Sequence, residues 1–183
     1  MGNAGASLTN HVIDEIAEKR LDCVVFCSPP LDAVKANFSS EAQDIVDYRN
    51  NILNANSSYA VMDSGWKIQY DKYNSADVDV PLNADIAGLC VRTETTRDAW
   101  WSPAGYDRGR IKNVIKLYFS PDKTERDELY KNGVNPVIDQ PGEGRLLFGD
   151  KTLLAKASAF DRINVRRLFI VLEKAISRAS KRL

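Results

Sequence analysis

The chain has 183 residues, 44% apolar and 27% charged, and its 25 basic and 25 acidic side chains leave no net charge. That is the composition of a globular domain with room for one well-formed core, and it excludes disordered and collagen-like chains. No apolar run approaches the roughly 18–20 residues that span a bilayer, and residues 1–10 lack a basic stretch ahead of an apolar one, so no signal peptide is expected and a protein kept in a cytoplasm is.

Residues 2–7 are small and flexible. Thr9 or Asn10 can cap a helix in which Val12, Ile13, Ile16 and Ala17 keep helical spacing to about Arg20. Residues 22–27 read as a short buried strand stopped by Ser28-Pro29-Pro30. Ser40-Glu41-Ala42-Gln43 has the form of a capping box, opening a helix whose face is Ala42, Ile45, Val46, Arg49, Ile52 and Leu53. Residues 59–62 form a second strand; Trp66, Ile68 and Tyr70 alternate with Lys67, Gln69 and Asp71, which predicts a hairpin or bent pair around Ser64-Gly65. Residues 73–79 form a polar loop, and Pro81 opens a helix along Leu82, Ile86 and Leu89 to about Thr95, broken by Trp100-Trp101-Ser102-Pro103-Ala104-Gly105.

Residues 111–119 are apolar enough for a strand. Ser120-Pro121 begins a helix through Lys131, closed by Asn132-Gly133. Residues 134–138 and 145–148 are short strands joined by the Gln140-Pro141-Gly142-Glu143-Gly144 turn. A long helix from about Asp161 to Arg182 carries Val165, Leu168, Phe169, Leu172, Ile176 and Ala179 on one stripe. The expected class is mixed α/β (α+β): a mixed β-sheet flanked by helices, with a long C-terminal amphipathic helix. Residues 1–158 would form the mixed domain, and 159–183 the basic helix.

Chemistry is sparse. Cys23, Cys27 and Cys90 have no second closely spaced cysteine pair and one histidine, His11, beside them, which reads as reduced core thiols rather than a metal site. No cofactor is expected. The 144–152 segment approaches the phosphate-binding pattern GxxxxGK(S/T), which leaves a nucleotide-binding enzyme as an alternative. However, Asp150 is inserted before the lysine, and Leu146-Leu147-Phe148 reads as a strand. Trp100, Trp101 and Tyr106 beside Arg97, Arg108 and Arg110 can stack bases or, more plainly, wedge a helix end against the core under snorkelling arginines. Residues 1–99 hold 15 acidic and 8 basic side chains and residues 100–183 hold 10 and 17. Such an asymmetry suits head-to-tail contact between copies or an acidic partner, or is an uneven average of two solvated faces. Arg167, Lys174, Arg178 and Lys181 form a basic stripe opposite the apolar one, either a solvated face or a docking ridge.

Three stretches carry a family likeness. Trp101-Ser-Pro-Ala-Gly105 resembles the tryptophan/Pro-Ala-Gly turn of contractile tail sheath proteins. Asn132-Gly-Val-Asn-Pro-Val137, Pro141-Gly-Glu-Gly144 and Phe148-Gly-Asp-Lys-Thr-Leu153 are similar to a central block of theirs, and Ile163-Asn-Val-Arg-Arg-Leu168 through Glu173-Lys-Ala-Ile176 to their long helix. Residues 12–30 resemble the T-even-like phage version. The resemblance implies a structural subunit, not an enzyme, that polymerises around a tail tube and contracts to deliver a genome. Its partners would be other sheath subunits, the tube protein, the baseplate and the tail terminator, with no membrane or nucleic acid. It would belong to the virion and assemble in the host cytoplasm. Sheaths of bacteriocin particles and type VI secretion are the near alternative. Family members are longer and carry terminal arms, so the chain is expected to be an internal piece, monomeric alone, with the helix over residues 159–183 starting the C-terminal sheath domain of such a subunit. Carried over by motif, Trp101, Pro103, Gly105, Gly133, Asn135, Pro136, Gly144 and Gly149 would be fold residues. Arg166 and Arg167 would make inter-domain or sheath–tube contacts, extended by Lys174, Arg178 and Lys181.

Overall fold

In the computed structural model, which describes residues 1–35 and 39–181, the first helical run starts before its polar cap signals. α1 (Ala6–His11) passes through a π-helical turn (Val12–Ala17) into α2 (Glu18–Arg20), and left-handed Leu21 ends the run. Extended Gly5 holds the N-cap place, so Thr9 is an interior helix residue rather than the cap. β1 (Val25–Cys27) and a 3-10 turn (Leu31–Ala33) follow. α3 (Glu41–Asp47) widens into a second π-helical turn (Tyr48–Leu53) and buries Ala42, Ile45, Val46 and Leu53. No capping box forms at Ser40, whose hydroxyl donates to the Asp44 carboxylate at 3.1 Å.

Among the described residues the strands make three small sheets. β2 (Ala60–Asp63) lies between β1 and β6 (Val134–Asn135), all parallel. β3 (Trp66–Asp71) lies between β4 (Ala76–Pro81) and β5 (Lys116–Leu117), all antiparallel. β7 (Val137–Gln140) and β8 (Gly144–Leu147) form a hairpin. The helices α4 (Asn83–Thr96), α5 (Lys123–Lys131) and α6 (Ile163–Ser180) complete the mixed α/β fold, with a 3-10 turn (Ala159–Asp161) ahead of α6.

Several expectations change. β2 and β3 do not pair: Ser64-Gly65 is a corner that carries the chain from the parallel to the antiparallel sheet. The expected loop at 73–79 is mostly β4, whose Ala76, Val78 and Val80 alternate with Asp77 and Asp79 along β3. Pro81 therefore ends a strand, and α4 starts two residues later. Of residues 111–119 only Lys116–Leu117 pairs as a strand. Pro136, which has no N–H to donate, divides 134–138 between two sheets. The true capping box is at Asp122, which accepts from the Glu125 amide at 2.8 Å while Glu125 accepts from the Asp122 amide at 2.7 Å. The expected helix end at Arg182 lies outside the described residues.

The main core joins Ile13, Ala17, Ile45, Leu53, Met62, Leu129, Val134 and Leu153; a second cluster under α4 joins Leu82, Ile86, Leu89, Val137 and Leu147. A polar seam lies at the sheet corner. Asp63 accepts from Gly65 N at 2.9 Å and from Ser28 Oγ at 2.7 Å, and Ser28 in turn accepts from Asn83 N at 3.0 Å. Nearby, buried Lys67 pairs with Asp85 at 2.9 Å, tying β3 to α4. Burial pushes the Asp63 carboxyl up to about 7, against the two donors that favour its charged form.

Between about pH 4 and pH 7 folded Asp63 keeps a proton that the unfolded chain has released, so its contribution to stability is full at low pH and is lost as pH rises through 7. The cost is about 1.4 kcal/mol per pH unit across that window. Asp63→Asn should remove this slope: chemical denaturation should find the variant more stable relative to the native chain at pH 8 than at pH 5. An equal difference at both values would show that Asp63 does not titrate there.

Candidate functional site

The three motif stretches, distant in sequence, meet around Asn135 and Asp150. Asn135 is fully buried at the end of β6. Its Nδ2 donates to the carbonyls of Met62 at 3.0 Å and Lys151 at 2.8 Å, and its Oδ1 accepts from the Lys151 amide at 2.6 Å. One amide side chain thus does what a strand neighbour would do, binding the 149–153 segment to β2. Leu153 N completes the attachment by donating to Ala60 O at 2.8 Å. Gly149 is what lets the segment come so close: a Cβ there would lie 2.8 Å from Asn135 Oδ1 and 3.0 Å from Pro136 Cδ. Buried Pro136 offers its carbonyl to Phe148 N at 2.8 Å.

Asp150 is the second meeting point. Ser102 Oγ donates to its Oδ2 at 2.9 Å, and Arg162 Nη1 donates to its Oδ1 at 2.5 Å and to the Tyr130 hydroxyl at 2.7 Å. That hydrogen bond to Asp150 raises the Arg162 pKa, and burial raises that of Tyr130. The Trp101–Gly105 turn is held here through Ser102, and through Gly105 N, which donates to Leu147 O at 2.9 Å. Pro103 is buried beneath it. Trp100 and Trp101 themselves stay about half exposed. The Arg108 and Arg97 guanidinium groups stand 5.2 Å and 5.9 Å from the Trp101 ring, so the arginines snorkel as expected but the rings are not driven into the core. Gly133, which closes α5, and Gly144, the first residue of β8, have φ of 79° and 89°. Residues 144–147 are a strand in a hairpin, the reading that disfavours a phosphate cradle.

The basic candidates divide into two groups. Arg166 is 9% exposed, its guanidinium 4.1 Å from the Tyr59 ring centre and 4.3 Å from that of Phe160. It donates to the Tyr59 hydroxyl at 2.9 Å and to Ser58 Oγ at 2.5 Å. Arg167 pairs with Glu94 on α4. Both arginines therefore bind α6 to the body of residues before 158. Lys174 lines a groove of about 340 Å³ between α6, α4 and the approach to β1, with Cys23, Phe26, Val91 and Ile170. Arg178 and Lys181 are exposed near the end of α6. Sequence reasoning missed Asp63, Lys67, Asp85, Tyr130 and Arg162, and met Asp150 only as an interruption of a loop pattern. Single polar residues at element ends carry no periodic signal.

Residues 3–153 match the family model described as the phage tail sheath protein central domain. The chain is 46% identical to the tail sheath protein of Enterobacteria phage T4 over 96% of its length, and 44% identical to that of Vibrio phage KVP40 over 98%. It spans 28% and 30% of those proteins. Among solved structures, the contracted helical sheath of the anti-feeding prophage matches 96% of the chain and 43% of its own, with a TM-score of 0.71 at 17% identity. The contracted sheath of an extracellular contractile injection system matches 86% and 39%, with a TM-score of 0.61 at 19% identity.

Asn135→Ala would leave the buried Met62 carbonyl and the part-buried Lys151 amide and carbonyl without this partner, a loss of about 3 kcal/mol. The melting temperature should fall by roughly 10 °C. A fall of less than about 2 °C in a thermal scan would show that the segment does not depend on this side chain.

Proposed function

The chain belongs to the phage tail sheath family, and from that membership we propose that it is the central domain of a subunit that polymerises around a tail tube and contracts to drive genome delivery. The observation that carries this reading is the unbroken family match from residue 3 to residue 153, on a fold shared with contracted sheaths. The phage relatives are far closer in sequence than the sheaths of injection particles, which favours a virion tail over a bacteriocin-like or secretion machine. In this reading the work resides in contacts between subunits and not in bond chemistry. The polar clusters support it, since Asn135, Asp150, Arg162 and Arg166 are taken up by internal bonds between elements. Partners would be other subunits, the tube, the baseplate and the tail terminator. Assembly would take place in the host cytoplasm, and the 183-residue chain alone would be monomeric.

Electron microscopy of the full-length subunit should reveal striated tubular polymers, and a persistent monomer or small closed ring would sink the proposal. Lys174, Arg178 and Lys181 are the exposed members of the basic ridge, at spacings that keep them on one side of α6. We propose that they meet an acidic surface in the assembled particle. Lys174→Glu with Arg178→Glu should weaken co-assembly of the full-length subunit with tubes, and more so at low salt. Undiminished sheathed tubes in micrographs would show that the ridge plays no part in docking.

A further inference from the structure

The β3–β4 hairpin reaches past the sheet that supports it. β5 pairs only with Lys67 and Ile68 of β3, so among the described residues the strands from Gln69 to Val78 have only each other. The base is braced by Asp79, which accepts from the Tyr118 hydroxyl at 2.7 Å and from Lys35 Nζ at 3.2 Å. The turn is held by Asp71, which accepts from Tyr73 N at 2.9 Å and from Asn74 Nδ2 at 2.6 Å. A two-stranded hairpin alone is marginal in water; these bonds set the shape of this one in advance, while its tip buries nothing. Residues 72–77 are all exposed, Tyr73 at 85%. Within residues 69–79 stand three acids, Asp71, Asp77 and Asp79, against one base, Lys72.

A pocket of opposite character lies elsewhere on the domain. It has a volume of about 380 Å³, and Arg49, Lys131, Lys151, Leu154 and Ala155 are on its wall. That is the size of a cleft that encloses a ligand group. Among the described residues neither lysine pairs with a carboxylate, and the one acid on the wall, Asp161, is paired with Arg162 at 3.6 Å. Arg49 donates to two uncharged groups, Asn50 Oδ1 at 3.1 Å and Leu153 O at 3.3 Å, and burial lowers its pKa. The carbonyls that end α5 already accept from Asn132 and Gly133, so Lys131 is not needed as their partner. We propose that the hairpin of one subunit seats in this pocket on the next copy, its Asp77 carboxylate against Lys131 and Lys151 and its Tyr73 ring against Leu154 and Ala155. Charge decides the occupant. The hairpin belongs to the acidic half of the chain and both lysines to the basic half, and opposite signs on two unlike surfaces favour a head-to-tail contact over a symmetric pair. Such a contact propagates into a helical filament when it does not close into a ring. The proposal rests on the polymer reading given above.

Charge exchange in the full-length subunit tests the contact. Asp77→Lys and Lys131→Glu, made singly, should each raise the subunit concentration needed for tubes by about 10-fold. Both side chains are exposed, so each variant should melt within about 2 °C of the native subunit. The two substitutions together restore opposite charges across the contact, and should bring the concentration back to within about 3-fold of native. Native tubes with both single variants undiminished would overturn the proposal. Impaired single variants without rescue in the double variant would overturn it as well, since the two residues would then serve separate contacts. A native subunit that forms no tubes at all would sink the sheath reading, and this contact with it.

Discussion

A single buried amide holds the sheets of this domain to the segment that leads out of it. The 149–153 segment bonds to β2 directly through Leu153 N, and the Lys151 amide and carbonyl, which are part-buried, are satisfied by Asn135. Because Asn135 also donates to Met62, one residue joins the end of β6, the middle sheet strand and the segment before α6. Gly149 follows from the same constraint, since any side chain there would occupy the space of the amide oxygen. The placement of Asp150, and through it of the Trp101–Gly105 turn and Arg162, depends on that close approach.

The joint between this unit and α6 is correspondingly polar and aromatic rather than greasy. An apolar contact tolerates sliding, whereas hydrogen bonds and a guanidinium set over rings specify direction. Arg166 makes two hydrogen bonds and two ring contacts within one turn of the start of α6, and Arg167 ties the adjacent face to α4. The helix is thereby aimed, although less than half of its length touches the body.

Periodic features were legible in the amino-acid sequence and solitary ones were not. Helical spacing located α3, α4 and α6, and the β-branched runs located β1 and β2. The parallel pairing of β1 with β2 left no trace in the sequence, because pairing partners are chosen by tertiary context. The alternation of Ala76, Val78 and Val80 was there to be read as β4, but the aspartates between them resemble a loop. The motif residues fall where Asn135 and Asp150 gather bonds between elements. Their bonding partners were not legible, because Tyr130, Arg162 and Asp63 act at element ends where no pattern repeats.

The apolar stripe of α6 was legible too, but its orientation was not, and this difference has a physical source. Helical spacing of apolar residues says that one side of a helix avoids water; it contains nothing about which neighbour that side meets. The usual assumption is that the apolar side meets the domain at hand. Here the attachment is made by Ile163, Ile170 and two arginines, on the side that the pattern marks as polar. Arginine permits this, because its planar guanidinium can stack on Tyr59 and Phe160 while Nη1 and Nη2 donate to Tyr59 and Ser58. A helix attached through arginines keeps its apolar face turned away from the body it is attached to.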